Sequence, residues 1–524
     1  MQRLTPAAAA GCVLLALFCS CDSGRERAAA EKEGRLVVGL LSDPKTLNPL
    51  VATSIESRNI IDLVFLKLLD EQSDFASFRP RLAESWEFAP DSLSITFFLR
   101  KDAVWSDGVP VTAGDVRFTW ELQTDTVVAW PSRAVKDRIA DVDVVDDHTV
   151  TFLFSNRYLY QLMDANDGVL LPKHVLESVP REQIRTSEFG RRPVGNGPFR
   201  LARWESDQFI ELEPNPLYYE TALPRLASVV FRIVPDMMTL VTQLESGEID
   251  CLESLPVDVV SDIERNHPDI EVFTYLSRHH VFVAWNLQRP LFRSADVRRA
   301  LAMAVDTDEM IRSLWGGKAR PNDSPMHPIL WAHDPSMEPL PYDPGASRSI
   351  LASEGWVDAD GDGVLEKGGK RFEFEIIANQ GNQQRADIIT MIQEYLRRVG
   401  VRVTARTFEW NTFVERMTGG DFDGCVLGWK TSTRADLTDL WRSTSVPPRG
   451  YNVARYDNAT VDSLIDSAKS ALRREEAREL WYRCQRLIYS DQPVLFLTVP
   501  YEIVGLRRGY CGVEPNALGF FVNL

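Results

Sequence analysis

What this chain lacks narrows its chemistry first. Beyond residue 21 no segment reaches the about 20 consecutive apolar residues of a membrane-crossing helix. There is no GxSxG elbow, no HExxH pair, no GxxxxGKS or GxxxxGKT loop and no GxGxxG fingerprint behind a strand. The usual marks of serine hydrolases, zinc peptidases and nucleotide enzymes are therefore missing. Histidine is scarce, with seven in the chain, and the adjacent pair His279 and His280 would point to opposite faces of a strand. No metal and no cofactor are expected. Of seven cysteines, Cys12, Cys19 and Cys21 fall at the start, leaving Cys251, Cys425, Cys484 and Cys511 without a CxxC pair. That pattern suggests neither zinc nor redox chemistry and leaves one bridge, Cys484 to Cys511, open. Positive charge is in deficit: 58 basic against 75 acidic side chains, a net charge of -17. The first 33 residues hold four of each sign, so the acidic excess belongs to the body and argues against nucleic acid as a partner.

The start of the chain reads as an address. Arg3 precedes an apolar run from Ala7 to Cys19, which has the length of a signal-peptide core and is too short to span a bilayer. Leu17-Phe18-Cys19-Ser20-Cys21 resembles a bacterial lipobox, with small Ser20 before the cysteine that would receive a diacylglycerol. Residues 1–21 are read as a lipoprotein signal peptide with Cys21 as the lipid anchor, although Phe18 stands where lipoboxes usually carry Leu. An ordinary signal peptide cut near Gly24 is the alternative. Residues 22–34 are charged and rich in alanine, as a flexible tether would be.

The remainder is longer than one typical core and alternates strand-like with helix-like patterns, which predicts two or three α/β lobes. Arg35 to Leu40 reads as a strand, followed by Ile55, Ile60, Ile61, Val64, Phe65 and Leu68 at helical spacing. Ile388, Ile389, Ile392, Tyr395, Leu396 and Val399 mark a helix face; Gly400 supplies a stop; Val401, Val403 and Ala405 alternate as in a strand. Two amphipathic helices, over Val461 to Ala468 and Ala477 to Ile488, precede the apolar strand Val494 to Val499. Asp107-Gly108 marks a tight turn, and residues 317–345, rich in Pro, Asp and His, predict a long loop.

Several stretches, taken in order, are similar to the extracellular solute-binding proteins of family 5, the peptide- and nickel-binding group. They begin with Leu82-Ala-Glu-Ser-Trp86, then Phe97 through Trp105-Ser-Asp-Gly-Val-Pro110 to Ala113, with Asp115-Val116. Gly195-Asn-Gly-Pro-Phe199, Glu213-Pro-Asn-Pro-Leu-Tyr-Tyr219 and Gln243 to Asp250 continue the series. Trp285-Asn286, Asp296 to Ala300, Ala304-Val-Asp306, Gly355-Trp356, Asp360 to Gly363, Asp421-Phe-Asp423 and Gly428-Trp429 complete it. The resemblance implies an α/β, class II periplasmic-binding-protein fold with an extra domain and two jaws joined by a hinge. Mapped here, domain I takes 35–75, 185–283 and 491–524, domain II is an insertion at 76–184, and domain III takes 284–490.

The same resemblance places the ligand near Trp429, Lys430, Thr431, Ser432 and Arg434, with Thr53, Ser54, Phe282 and Trp410 approaching it. In peptide-binding relatives an aspartate three residues after the tryptophan holds the peptide's amine; here Ser432 stands there. Weak binding of ordinary dipeptides is therefore expected, with Lys430 and Arg434 favouring a modified peptide, an oligosaccharide or another anionic solute. Asp436 or Asp439 could still fill the vacant place. Asp358-Ala-Asp-Gly-Asp-Gly363 resembles the start of a calcium loop but has Gly369 where its last ligand belongs, and it reads as a turn. The function implied is non-enzymatic: a lipid-anchored monomer on the periplasmic or extracellular side of the cytoplasmic membrane. It would deliver a small polar or peptide-like solute to an ABC permease and ATPase. A surface hydrolase of peptides or glycans, or a non-transport sensor or chaperone on the same fold, are the alternatives. A permease and ATPase encoded beside the chain would separate transport from sensing.

Overall fold

Apolar residues on both faces of a strand require helices on both sides of the sheet, and His279–Trp285 is such a strand. Val283 and Trp285 enter one core with Phe374, Ile376, Leu495 and Leu497. Phe282 and Ala284, one residue out of step, enter another with Ile377, Phe496, Phe413 and Trp481. Helices Ala295–Met303, Thr307–Trp315, Pro344–Ser353 and Gln383–Arg397 cover the first face. Trp410–Gly419, Ala459–Ser470 and Arg474–Asp491 cover the second. The computed structural model describes residues 34–521; Cys21, the leader and all but the last residue of the tether lie outside the described residues.

The sheet of this second lobe runs Arg402–Phe408, Glu373–Asn379, Gly424–Lys430, His279–Trp285, then the first half of Val494–Arg507, with the short Ala319–Pro321 on the latter. Arg402–Phe408 and Gly424–Lys430 are both parallel to Glu373–Asn379. The long strand Val494–Arg507 then leaves one lobe for the other. Its residues 494–498 pair with His279–Trp285, and 501–507 pair with Ile270–Leu276. Two adjacent antiparallel stretches thus cross together, at 277–278 and 500–501. The boundaries read in the sequence at 283/284 and 490/491 lie several residues before or after these crossings, because Val283, Leu495 and Leu497 are core residues of the second lobe.

In the first lobe the sheet continues through Cys251–Leu252, Arg35–Leu40, Ser228–Ile233, Phe209–Pro214 and Phe199–Glu205. Residues 83–154 add a separate antiparallel sheet in the order Ala83–Phe88, Ser94–Leu99, Thr149–Phe154, Ile139–Asp146, with helix Ala113–Thr124 packed on it. Its inward residues Ile95, Phe97, Leu99, Val150 and Phe152 share one core with Leu36, Val38 and Phe231. The inserted sheet and the first lobe are therefore one jaw.

The helix begun at Ile55 ends at Val64, and Phe65 is already extended, so Phe65 and Leu68 are buried from a connecting segment. Cys484 and Cys511 are both free. Cys484 is fully buried on helix Arg474–Asp491, whereas Cys511 is exposed beyond the end of the crossing strand in the first lobe, so no bridge joins them. The loop expected at 317–345 carries the strand Ala319–Pro321 and then runs without helix or strand to Asp343. Among the described residues no helix is long and apolar enough to cross a membrane.

Candidate functional site

Parallel strands gather their sites at their carboxyl ends, and Gly424–Lys430 brings Trp429 and Lys430 to that end. Thr431 stays in register, donating its N–H to the Arg278 carbonyl at 2.8 Å. Between the jaws lies a cavity of about 870 Å³, in the upper part of the range of about 300–1,000 Å³ usual for ligand sites. The second jaw lines it with Trp429, Lys430, Thr431, Ser432 and Arg434, and the first with Arg58, Asp62, Lys67 and Glu71.

Thr53, Ser54, Phe282 and Trp410 stand outside this lining. Ser54 is occupied as the N-cap of helix Ile55–Val64, accepting the Ser57 N–H at 3.1 Å, and Thr53 is exposed beside it. Phe282 points into the helical core of its lobe. Trp410 opens helix Trp410–Gly419 with 55% of its surface exposed and its ring 6.0 Å from that of Phe413. Trp429 is steadied by Tyr451, whose ring lies 4.7 Å away.

Arg434 is not a free cation. Its guanidinium pairs with Asp164 of the first jaw and lies 5.0 Å above the Tyr160 ring. The Ser432 hydroxyl accepts the Arg434 N–H at 3.3 Å, which closes a local turn. Asp436 is held by Lys469 at 3.2 Å and caps Thr438. The carboxylate absent at position 432 is nevertheless not absent from the space, because Asp62, Asp167 and Asp439 line the same cavity.

The first jaw's charges are mutually dependent. Arg58 and Asp62 share one face of a helix at i and i+4. Asp62 is accessible from the cavity yet surrounded by protein, so partial loss of hydration pushes its carboxyl up while Lys67, Arg58 and Arg278 pull it back. Burial pulls Lys67 down, but Asp62, Asp167, Glu71 and Asp70 together outweigh it and leave the ammonium more basic than usual. Arg278 and Lys430 are both lowered, each first by desolvation; Arg278 then also depresses Lys430. Such a group of opposite charges, gathered around one cavity, can meet the ammonium, carboxylate and amide groups of a zwitterionic ligand once the jaws enclose it.

Sequence reasoning overlooked Arg58, Asp62, Lys67, Glu71 and Arg278. The Arg58–Asp62 spacing was a local signal; nothing near Lys67 or Arg278 distinguishes them from surface cations. His280 and His327 were also unforeseen as cavity residues. They are buried, their rings stack at 6.0 Å, and burial holds His280 down to about 4 and His327 to about 2, so both are neutral imidazoles. His279, next in the chain, faces away from the cavity lining. The Asp358 segment is remote from this chemistry: Asp358 accepts the N–H groups of Gly361 and Gly363 at 2.8 and 3.0 Å in an exposed turn.

Comparison with known proteins agrees with this architecture. The model of the bacterial extracellular solute-binding proteins, family 5 middle, matches residues 77–450. The oligopeptide-binding protein AppA of Bacillus subtilis is 31% identical over 517 residues, covering 96% of this chain and 94% of that protein. The structure of AppA in complex with a nonapeptide superposes with a TM-score of 0.74 at 29% identity, covering 94% of this chain and 97% of the other. The substrate-binding protein CtaP of Listeria monocytogenes shares the fold with a TM-score of 0.83 at 23% identity, over 94% and 98% of the two chains. A two-jawed α/β fold with a charged cavity at its seam, and a match that spans most of the chain, place this protein in family 5 of the bacterial extracellular solute-binding proteins.

Proposed function

We propose that the chain is the receptor of an ABC importer and that its solute is an oligopeptide enclosed between the jaws. The observation that carries this reading is the cavity's mixture of Arg58, Lys67, Arg278 and Lys430 with Asp62, Glu71, Asp167 and Asp439. A solute closed away from water must have its polar groups met by protein, and a peptide presents both signs of charge with many amides between. The similarity to an oligopeptide-binding protein supports the same class. Capture of a purely anionic solute is disfavoured, since Asp164 already neutralises Arg434.

In this reading the second lobe, domain III, closes on domain I and the inserted domain II about the crossings at 277–278 and 500–501, and the protein catalyses nothing. The closed receptor, a monomer tethered through Cys21 outside the cytoplasmic membrane, docks on its permease and ATPase. Calorimetry with unmodified, N-acetylated and C-amidated peptides tests the solute. Unmodified peptides should bind, both modifications should weaken them, and Trp429→Ala should cost at least about tenfold, as loss of a central aromatic contact does. Binding of an oligosaccharide and of no peptide would reject the assignment. The anchor is checked by fractionation: Cys21→Ala protein recovered wholly with the membranes would show that the tether is elsewhere.

A further inference from the structure

The first jaw also grips the second at the edge of the cavity, through Phe75 and Asp164, which do not line it. The hairpin Leu69–Glu71 and Phe78–Pro80 carries Phe75 at its tip, with φ at 49°. Bulky residues seldom hold that left-handed conformation, and something must compensate for it. Here Phe75, 1% exposed, belongs to the second lobe's core together with Trp441 and Trp481. Asp74 shapes the tip by accepting the N–H groups of Ala76 and Ser77 at 2.9 Å each, and Arg474 of the second lobe attracts it.

A second contact lies beside the first. Asp164 of the inserted domain, 3% exposed, pairs with Arg434 and accepts the Tyr158 hydroxyl at 2.7 Å. Tyr160 donates its hydroxyl to the Ala435 carbonyl. Lys136 braces this segment from behind, its ammonium on the carbonyls of Asp164 and Asp167 at 2.6 and 2.7 Å. The chain's last described residues follow the same seam: Phe520 and Phe521 lie in the first jaw's core, while Ala517 and Leu518 pack on the second's. Phe75, Tyr158, Tyr160 and Asp164 are all absent from the cavity wall.

We infer that Phe75 and the Asp164–Arg434 pair form a latch that holds the jaws closed before any solute arrives. The inference rests on the reading of the two lobes as jaws that open and close. Withdrawing a buried phenylalanine into water corresponds to about 10- to 100-fold in an equilibrium, so the latch sets how much of the free receptor is closed. A solute that binds the closed form is weakened by whatever fraction of that form is lost.

The test measures the jaws directly. Spin labels at Val145→Cys and Leu472→Cys, exposed sites on the two jaws, are read in a Cys511→Ser background, with small-angle scattering of the unlabelled protein alongside. Without peptide, the parent should show the short inter-jaw distance, and Phe75→Ala and Asp164→Asn should lengthen it. The peptide-saturated variants should return to the parent's distance, with an apparent Kd raised by about tenfold or more for Phe75→Ala. Asp164→Asn changes no volume, so it decides the matter if Phe75→Ala fails to fold. Folded variants with unchanged ligand-free distances would overturn the latch. The ligand-free arm stands even if no peptide binds, an outcome that would remove only the proposed solute.

Discussion

Glu253 sits behind Lys430 where the jaws meet, and its environment is hostile to charge. Burial, then the neighbouring Glu502 carboxylate, pushes its carboxyl up to about 7, while the Asn59 amide at 3.0 Å and Lys430 act the other way. A folded-state pKa above the unfolded one means that the folded protein holds the extra proton between about pH 4.5 and 7. The stability this supplies is complete at acid pH and is lost as pH rises through 7. Glu253→Gln keeps an oxygen for Asn59 and removes the charge. Relative to the parent it should be neutral near pH 4.5 and stabilising by about 1–3 kcal/mol at pH 8. Thermal unfolding of both proteins across that range checks this, and a difference that does not vary with pH would contradict it. None of it was legible in the sequence, where Glu253 and Glu502 are 249 positions apart and only the pairing of Cys251–Leu252 with the crossing strand brings them together. Trp429 was legible because its neighbours carry a pattern. Arg434 was half legible: its place on the cavity wall followed from that pattern, but its partner Asp164 comes from another domain.

At the scale of elements, the stretches that revealed the family mostly support backbone and do not touch the cavity. In Gly195-Asn-Gly-Pro-Phe199, Asn196 accepts the Leu66 N–H at 2.8 Å, and the Gly197 N–H reaches the Val64 carbonyl at 2.8 Å. A methyl on Gly195 would lie 2.1 Å from the Val64 oxygen, so the end of helix Ile55–Val64 can pass only over glycine. Asn215, from the Glu213-Pro-Asn-Pro motif, donates to the Gly197 carbonyl at 3.0 Å; Asn286, from Trp285-Asn286, donates to Gly420 and Phe422 at 2.9 and 3.1 Å. In the Thr112 to Asp115 turn, Asp115 accepts the Thr112 N–H at 2.8 Å and the Lys173 N–H at 2.9 Å. Such residues hold non-local loops in place with buried hydrogen bonds, which are costly to leave unmade. The same physics explains which elements the sequence disclosed. Gln383–Arg397 buries Ile388, Ile389, Ile392, Tyr395 and Leu396 on one face, and its pattern is local. The end of Ile55–Val64 was hidden because Phe65 and Leu68 are buried too, from extended backbone, and burial alone does not distinguish the two conformations.

For the whole molecule, the question is whether two lobes with separate cores behave as one cooperative unit. Cores built on opposite sides of a hinge invite independent unfolding, since each lobe is large enough to stand alone. Against this, Val494–Arg507 is a single strand shared by both sheets, Ile270–Leu276 and His279–Trp285 cross beside it, and Phe75 is planted in the other lobe's core. One transition is therefore expected. Ligand at about 100 times its Kd adds about 2.7 kcal/mol to the folded state. At about 2.1 cal/mol/K per residue, a chain of about 490 residues unfolding as one has an entropy of about 1 kcal/mol/K. The peptide should then raise Tm by only about 2–3 °C, with a single calorimetric peak that moves as a whole. If the second lobe melted alone, its about 200 residues would give a shift of about 6 °C in one peak and leave another in place. Differential scanning calorimetry with and without peptide separates the two cases. Repeating it on Phe75→Ala asks how much of the coupling the latch carries: loss of the latch should split or broaden the ligand-free peak, and saturating peptide, by bridging both jaws, should restore it.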